Sequence, residues 1–137
     1  MLDYQNLEWT RKDTSGIQPR PRYRHTCEVI GNRLWILGGS DNGDDDASRA
    51  SKNVMAGISE LNLDTLVWTH PVIQGANPFP RSSHTSVVVG TNSIAIFGGR
   101  YSGQVYYNDI FLINMETYTS VLVNAVTTML PTPISNA

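Results

Sequence analysis

The sequence predicts an all-β protein built from repeated units of four short antiparallel strands. The first observation is an internal repeat: residues 21–26 recur as residues 80–85, and the same shift of 59 residues (80 − 21) carries Trp9 onto Trp68. The second is that every candidate strand is short and bounded by turn residues, with no sustained helical periodicity in the sequence. Repetition on this scale is typical of propellers and solenoids, whose units bury their apolar faces against their neighbours.

Each unit begins with a β-hairpin. The first strands, residues 25–30 and 84–89, are rich in β-branched residues and end at turn residues that tolerate a positive φ. The second strands, residues 33–37 and 93–97, are apolar on both faces of the pleat, so we expect each sheet to be covered on both sides. Each second strand runs into a glycine doublet: Gly38-Gly39 and Gly98-Gly99.

Two further strands complete each unit. They are predicted over residues 58–63, 66–70, 109–114 and 118–123. Four short strands per unit, stacked face to face, describe the blades of a propeller rather than a sandwich. The segments that precede the two repeats, residues 16–21 and 75–80, are rich in Pro and Gly and predict connectors.

The two units differ in one loop. From Gly39 to Leu63 the first unit spans 24 residues (63 − 39), whereas the matching stretch from Gly99 to Ile113 spans 14 (113 − 99). The extra residues fall within residues 40–57, and insertions in repeat proteins collect in loops on the binding face. We expect a solvated loop that contacts a partner through its acidic side chains: Asp41, Asp44, Asp45 and Asp46. Calcium binding is the alternative, although the spacing fails the EF-hand pattern.

Taken in order, the motifs resemble the kelch repeat, a β-propeller blade. They are Arg-x-x-His-Thr, an apolar hairpin, Gly-Gly, Asn-Asp-Ile-Phe at residues 108–111 and a late tryptophan, with Ser120 and Tyr118 near the third tryptophan position. The resemblance covers residues 1–123 and is most similar to kelch proteins of the Rab9-effector and leucine-zipper-like-regulator kind. It implies kelch-type propeller blades in which the tryptophan packs between blades. The signature residues are Trp9, Arg22, His25, Gly38, Gly39, Trp68, Arg81, His84, Gly98 and Gly99.

The repeats divide the chain into a kelch region over residues 1–123 and a tail over residues 124–137, which is a degraded third unit or a disordered segment. Residues 1–20 hold the end of a preceding blade and a connector, residues 21–79 the first repeat and residues 80–123 the second. A closed propeller needs roughly four to eight blades. We therefore expect an incomplete ring, which is a fragment of a longer protein or is completed by further kelch blades or self-association.

Composition excludes several classes of function. The net charge of −2 and the pI of about 5.8 give no basic surface for nucleic acid or an anionic membrane. The apolar runs are shorter than the ~18 residues that cross a bilayer, and the first residues lack the order of a signal peptide. Cys27 is the single cysteine, which rules out an internal disulfide and a cysteine metal cluster. We expect a cytoplasmic chain, with the nucleus as the alternative compartment.

The repeated polar residues are interpreted as structural. A metal-ligand or general-base role is the alternative for His25 and His84, but a position repeated in every blade belongs to the scaffold. Arg22 and Arg81 suit bidentate bonds between blades. Partner contacts are predicted on the second loop, at residue types enriched in binding hot spots: Arg100, Tyr101, Tyr106 and Tyr107. The alternative for these tyrosines is packing against a neighbouring blade.

The predicted function is a non-catalytic protein–protein interaction module, a scaffold or adaptor without cofactor or metal. The alternative is a fragment of a kelch-type metalloenzyme whose catalytic residues lie outside this chain. A copper site of the galactose-oxidase kind needs a cysteine crosslinked to tyrosine, and Cys27 lies within a predicted strand. An iron site of the nitrile-specifier kind needs Glu-x-x-x-Asp-x-x-x-His, where this chain has Glu60, Asp64 and Trp68. A third hypothesis is a product that does not fold alone.

Overall fold

The computed structural model describes residues 1–41, 55–102 and 105–123, and the regular structure within these ranges consists of β-strands. The strands are two to five residues long, as short as the apolar runs of the sequence. In chain order they are β1 (Leu2–Asp3), β2 (Glu8–Trp9), β3 (Ser15–Gly16), β4 (Thr26–Ile30), β5 (Arg33–Leu37), β6 (Ile58–Asn62), β7 (Val67–Thr69), β8 (Gln74–Gly75), β9 (Thr85–Val89), β10 (Ser93–Phe97), β11 (Arg100–Ser102), β12 (Val105–Tyr106), β13 (Ile110–Asn114) and β14 (Thr119–Leu122).

Two five-stranded sheets form the body of the described chain. Blade one has the strand order β3-β7-β6-β5-β4, and blade two has the order β8-β14-β13-β10-β9. Four strands of each sheet form the antiparallel meander that the sequence predicts. Two small hairpins, β1–β2 and β11–β12, accompany them. The prediction of all-β blades is confirmed, and in the described residues the two sheets stay open rather than closing into a ring.

A fifth strand, which the sequence does not reveal, completes each blade. It comes from the connector that precedes the repeat and pairs in parallel with the outer strand of the meander, β3 with β7 and β8 with β14. Gly75 of β8 lies so close to β14 that an added Cβ would meet the Ser120 carbonyl oxygen at 2.6 Å. Its φ of 84° is also a conformation that favours glycine. The connectors therefore belong to the sheets that follow them.

The apolar core lies between the two blades. Eight buried side chains form it: Trp35, Leu37, Ile58, Phe79, Ile94, Ile96, Ile113 and Met115. Side chains alternate between the faces of a strand, so β5 turns Trp35 and Leu37 towards blade two and Leu34 and Ile36 to the opposite face. In the described residues, each blade therefore covers one apolar face of the other. The opposite face of β5, which carries Leu34 and Ile36, is apolar as well but is not covered by blade two.

A polar network crosses the same interface. The buried Glu60 carboxylate accepts a hydrogen bond from the Trp35 indole at 3.1 Å and another from the Tyr118 hydroxyl of blade two. Arg33 lies 3.6 Å from Glu60 and donates to the Tyr118 hydroxyl at 3.4 Å. A buried carboxylate is costly unless donors surround it, so this network fixes how blade two sits on blade one.

The tryptophan between the blades is Trp35, which the repeat signature does not include. The resemblance implies an interblade position for Trp9 and Trp68, and neither of them lies between the two described blades. Trp9 is 79 % exposed. Trp68 is half-buried on the face of blade one opposite to Trp35, where its indole donates to the Thr14 hydroxyl at 3.1 Å. Trp68 thus lies on the face of blade one turned away from blade two, and its packing against a preceding blade stays a prediction.

The interblade core predicts a large difference between two aliphatic truncations. Leu37 is fully buried between the blades, whereas Val87 of β9 is exposed. We expect Leu37→Ala to lower the free energy of unfolding by about 2–5 kcal/mol, because it leaves a cavity. Val87→Ala is expected to change it by less than about 0.5 kcal/mol. Urea titrations followed by tryptophan fluorescence measure both, and similar losses for the two variants would contradict the interblade location of the core.

Candidate functional site

A buried arginine organises the end of blade two beside the glycine doublet. Arg81 is only 1 % exposed. It donates to the carbonyls of Pro78 at 2.5 Å and Gly98 at 2.7 Å. Its Nη1 and Nη2 also bond to the two carboxylate oxygens of Asp109 at 2.7 and 3.2 Å. Bidentate pairing of this kind is the geometry that the planar guanidinium prefers, and it ties three segments of the blade together.

Two aromatic rings enclose the same guanidinium. Its central carbon lies 4.4 Å from the centre of the Tyr107 ring and 5.2 Å from that of Phe111. Both distances fall in the range of cation–π attraction. Tyr107, one of the predicted partner contacts, therefore packs one face of its ring against Arg81 and is half-buried. This packing is within blade two, so it differs from the packing against a neighbouring blade that the sequence analysis gave as the alternative.

The other predicted contacts of the second loop lie on the β11–β12 hairpin. Arg100 pairs with Tyr106 across this hairpin, and the Arg100 backbone exchanges two hydrogen bonds of 2.8 Å with Ser82. Tyr106 is 70 % exposed, and Tyr101 is half-buried. A pocket of about 330 Å³ opens beside the hairpin, and three of the four predicted residues line it together with Ser83, Thr85, Phe97, Gly98 and Gly99: Arg100, Tyr106 and Tyr107.

The matching place in blade one is filled by blade two. A Cβ added to Gly38 would clash with the Arg81 carbonyl oxygen and meet the His84 and Phe79 rings at 2.9 and 3.1 Å. At Gly98, the same position in blade two, the nearest atom is the Tyr107 carbonyl oxygen at 3.5 Å. The pocket is therefore the space that a following blade would occupy.

Comparison with known proteins agrees with this architecture. The family model of the KLHDC2/KLHL20/DRC7 Kelch-repeats domain matches residues 1–136. The chain belongs to the kelch-repeat family. Among its relatives, the Rab9 effector protein with kelch motifs of Gallus gallus is 35 % identical over 114 residues, which cover 82 % of this chain and 29 % of that protein.

Two other relatives show the same pattern of coverage. Host cell factor 2 of Homo sapiens is 30 % identical over 132 residues, covering 84 % of this chain and 16 % of the relative. Kelch domain-containing protein 1 of Mus musculus is 29 % identical over 119 residues, covering 85 % and 27 %. The kelch chain thus spans less than a third of the length of each of these relatives.

Of the acidic residues predicted to contact a partner in the loop of blade one, the structure describes Asp41. The side chain of Asp41 is 5 % exposed and forms an ion pair with the exposed Arg20. The other predicted acidic contacts, Asp44, Asp45 and Asp46, lie outside the described residues. Asp41 is not among the residues that line the pocket beside the β11–β12 hairpin.

The repeated histidines occupy unequal environments. His84 is buried, and its Nε2 lies 2.9 Å from the Thr26 hydroxyl of blade one. Burial, followed by the neighbouring Arg81 charge, lowers the pKa of His84 to about 4. His25 is exposed, and desolvation and Arg22 lower its pKa as well. His84 is therefore neutral at neutral pH and serves as a hydrogen-bonding contact between blades.

Two further kinds of feature, metal sites and membrane-spanning helices, concern the described part of the kelch chain. No three His, Cys, Asp or Glu side chains among these residues come close enough together to hold a metal ion. Nor do these residues include a helix of the length and apolar character needed to cross a membrane.

Sequence reasoning missed two components of this site. Phe97 is 52 % exposed and forms a wall of the pocket, and the strand alternation that buries Ile94 and Ile96 would have placed it on the opposite face. Asp109 lies within the Asn-Asp-Ile-Phe motif, which by itself indicates no ion pair. Its pairing with Arg81 joins residues 28 positions apart, which local patterns do not reveal.

The lowered pKa of His84 makes stability depend on pH in a defined window. Its folded pKa of about 4 lies below the unfolded value of 6.5, so the unfolded chain binds a proton first as the pH falls. The contribution of neutral His84 to the free energy of unfolding is complete above pH 6.5 and is lost as the pH falls towards 4. Urea titrations should show that the wild type loses about 2–3 kcal/mol more than His84→Gln between pH 7.5 and 4.5. Parallel pH profiles for the two proteins would contradict a neutral, buried His84.

Proposed function

We propose that this kelch chain is a non-catalytic protein-interaction module, a scaffold or adaptor that binds its partner through the outer face of blade two. The names of its relatives, an effector protein and a host cell factor, describe interaction rather than a reaction. The free Cys27 suits a reducing compartment, and we assign the chain to the cytoplasm. The proposal rests on one observation. The pocket beside Gly98 is open, whereas the equivalent place beside Gly38 is filled by side chains and backbone of blade two.

The outer face of blade two continues from this pocket as an apolar surface. Strand register places five exposed side chains on it: Val87, Val89, Phe97, Ile110 and Val121. In blade one the strand positions of Phe97 and Ile110 hold Leu37 and Ile58, which are buried against blade two. An apolar surface of this extent on a soluble protein marks an interaction site.

A kelch blade is the partner that fits this surface. Blade one receives Phe79 and the segment that leads into β9 at the position of the open pocket. The backbone bonds that accompany this contact, Gly39 N–H to the Arg81 carbonyl at 3.0 Å and Ser83 N–H to the Arg24 carbonyl at 2.9 Å, can form again with the next blade. A second copy of the chain presents such a segment at residues 20–25, so we commit to head-to-tail association of copies.

Head-to-tail association is heterologous, because two different faces meet. The complementary face lies on the other side of blade one, where Val29 of β4 pairs with Leu34 and is exposed. Substitution on either face alone should therefore prevent growth of the assembly. Two chains blocked on opposite faces should still form one intact interface between them.

Sedimentation velocity over a concentration series tests this proposal. We expect the wild type to gain mass with concentration, and Phe97→Arg and Val29→Arg to remain monomeric. An equimolar mixture of these two variants should form dimers and nothing larger. Val72→Arg, at a residue that is 75 % exposed in the loop before β8, is the control and should associate like the wild type. A wild type that stays monomeric up to its solubility limit, or a mixture that does not dimerise, would contradict the proposed surface.

A further inference from the structure

The two blades differ in what surrounds their repeated arginine. Arg22 of blade one donates to the Gly38 carbonyl at 2.9 Å, as Arg81 donates to the Gly98 carbonyl at 2.7 Å. The two guanidinium groups therefore occupy equivalent places beside the glycine doublets. Arg81 is buried, whereas Arg22 is only half-buried.

Backbone hydrogen bonds identify the counterparts of the groups that enclose Arg81. Gly98 donates to the Asp109 carbonyl at 3.2 Å, and Gly38 donates to the Gly57 carbonyl at 3.3 Å. Gly57 thus stands at the position of Asp109. By the same comparison Tyr107 N–H bonds to the Gly99 carbonyl at 2.9 Å, while Met55 N–H bonds to that of Gly39 at 2.8 Å.

Blade one consequently lacks the side chains that hold the arginine of blade two. Gly57 replaces the carboxylate of Asp109, and continuing along β6 and β13 places Ser59 where Phe111 stands. A pocket of about 420 Å³ occupies this place, and its lining includes Arg22, Gly57 and Ser59. Met55, the counterpart of Tyr107, also lines this pocket, so the open space corresponds to the carboxylate of Asp109 and the ring of Phe111.

Arg22 has no carboxylate pair among the described residues. Its two acceptors there are the backbone carbonyls of Gly38 and Arg20, the latter at 3.1 Å. The nearby Asp41 is ion-paired with Arg20 instead. Desolvation by burial is the main cause that lowers the pKa of Arg22, the Arg20 charge adds to it, and Asp41 opposes both. A partly desolvated guanidinium is a strong binding group for a planar anion.

We propose that this pocket binds a carboxylate carried by an apolar or aromatic group, held by Arg22 as Asp109 is held by Arg81. The site is built within blade one and does not require the association proposed above, although Arg22 lies in the segment of residues 20–25 that a neighbouring copy would contact. A free aromatic acid and an acidic side chain of a protein share this chemistry. Two probes separate these sources.

The first experiment measures binding by isothermal titration calorimetry. One probe is phenylacetate, and the other is a blocked pentapeptide with the chain's own sequence of residues 107–111, Tyr-Asn-Asp-Ile-Phe. We expect the full chain to bind at least one probe and Arg22→Gln to bind it at least tenfold more weakly. The peptide with Asn in place of Asp should also lose at least tenfold. Binding of phenylacetate alone would assign the site to a small free acid, and binding of the peptide alone to a protein side chain.

A second variant keeps the test valid if Arg22→Gln fails to fold. Nothing lies within 4 Å of a Cβ added to Gly57, so an aspartate fits there without a clash. We expect Gly57→Asp to raise the melting temperature relative to the matched Gly57→Asn, because its carboxylate pairs with Arg22. The same variant should bind the probes at least tenfold more weakly than the wild type.

Three results would overturn the proposal. The first is a wild type that binds neither probe, and the second is a Gly57→Asp variant that gains no stability over Gly57→Asn or binds the probes unchanged. The third concerns the acidic loop: probe binding that appears only after Asp44, Asp45 and Asp46 are changed to Asn would assign the pocket to the chain's own carboxylates.

Discussion

The structure depends on one constraint: a single blade cannot cover its own apolar faces. Each sheet is apolar on both faces, and only a neighbouring blade can cover a face. Between the two described blades, Leu37 and Ile58 pack against residues such as Ile94 and Ile113, and the covered side chains are fully or almost fully buried. Burial of apolar area supplies the main favourable free energy of folding, so the stability of either blade belongs largely to the contact with its neighbour.

The same constraint explains the polar residues of the interface. Glu60 is buried at the seam, and the donors that make its burial tolerable come from both blades, Trp35 from one and Tyr118 from the other. Burial and the adjacent Glu60 carboxylate raise the pKa of Tyr118, which keeps its hydroxyl protonated as a donor. The position of blade two on blade one is therefore set by directional hydrogen bonds as well as by the burial of apolar area, because a shifted interface would leave the Glu60 carboxylate without hydrogen-bond partners.

Much of the architecture could be predicted from the sequence because it is recorded in local patterns. Strands β5 and β10 have the predicted bounds, since apolar residues run unbroken between a turn and a glycine doublet. Strands β3 and β8 could not be predicted, because two-residue segments containing Ser-Gly and Gln-Gly carry no strand pattern and pair only where the fold brings them. The burial of Trp35 between the blades could not be predicted for a related reason: burial depends on which neighbour covers a face, and residue type does not encode this.

The candidate sites divide in the same way. Arg100, Tyr106 and Tyr107 could be singled out from loop composition, and the structure places them at one pocket; their contact with a partner stays a prediction. The pocket beside Arg22 could not be predicted from the sequence. It exists because Gly57 and Ser59 are much smaller than Asp109 and Phe111, the residues at the same positions of blade two. Only the aligned backbone bonds of the two blades reveal that difference. In a repeat protein, one blade can thus be compared with the other, and the comparison shows which side chains are absent from equivalent positions.

Native-state hydrogen exchange tests most directly whether the two blades form one cooperative unit held together by their shared face. The account predicts that the backbone amides of β5, β6, β10 and β13 exchange by global unfolding only. Their opening free energies should agree with one another, and each should fall by the same amount in Leu37→Ala. Exchange of the blade-one amides at a clearly lower free energy than those of blade two, with Leu37→Ala affecting blade one alone, would show that the blades unfold independently and would contradict the account.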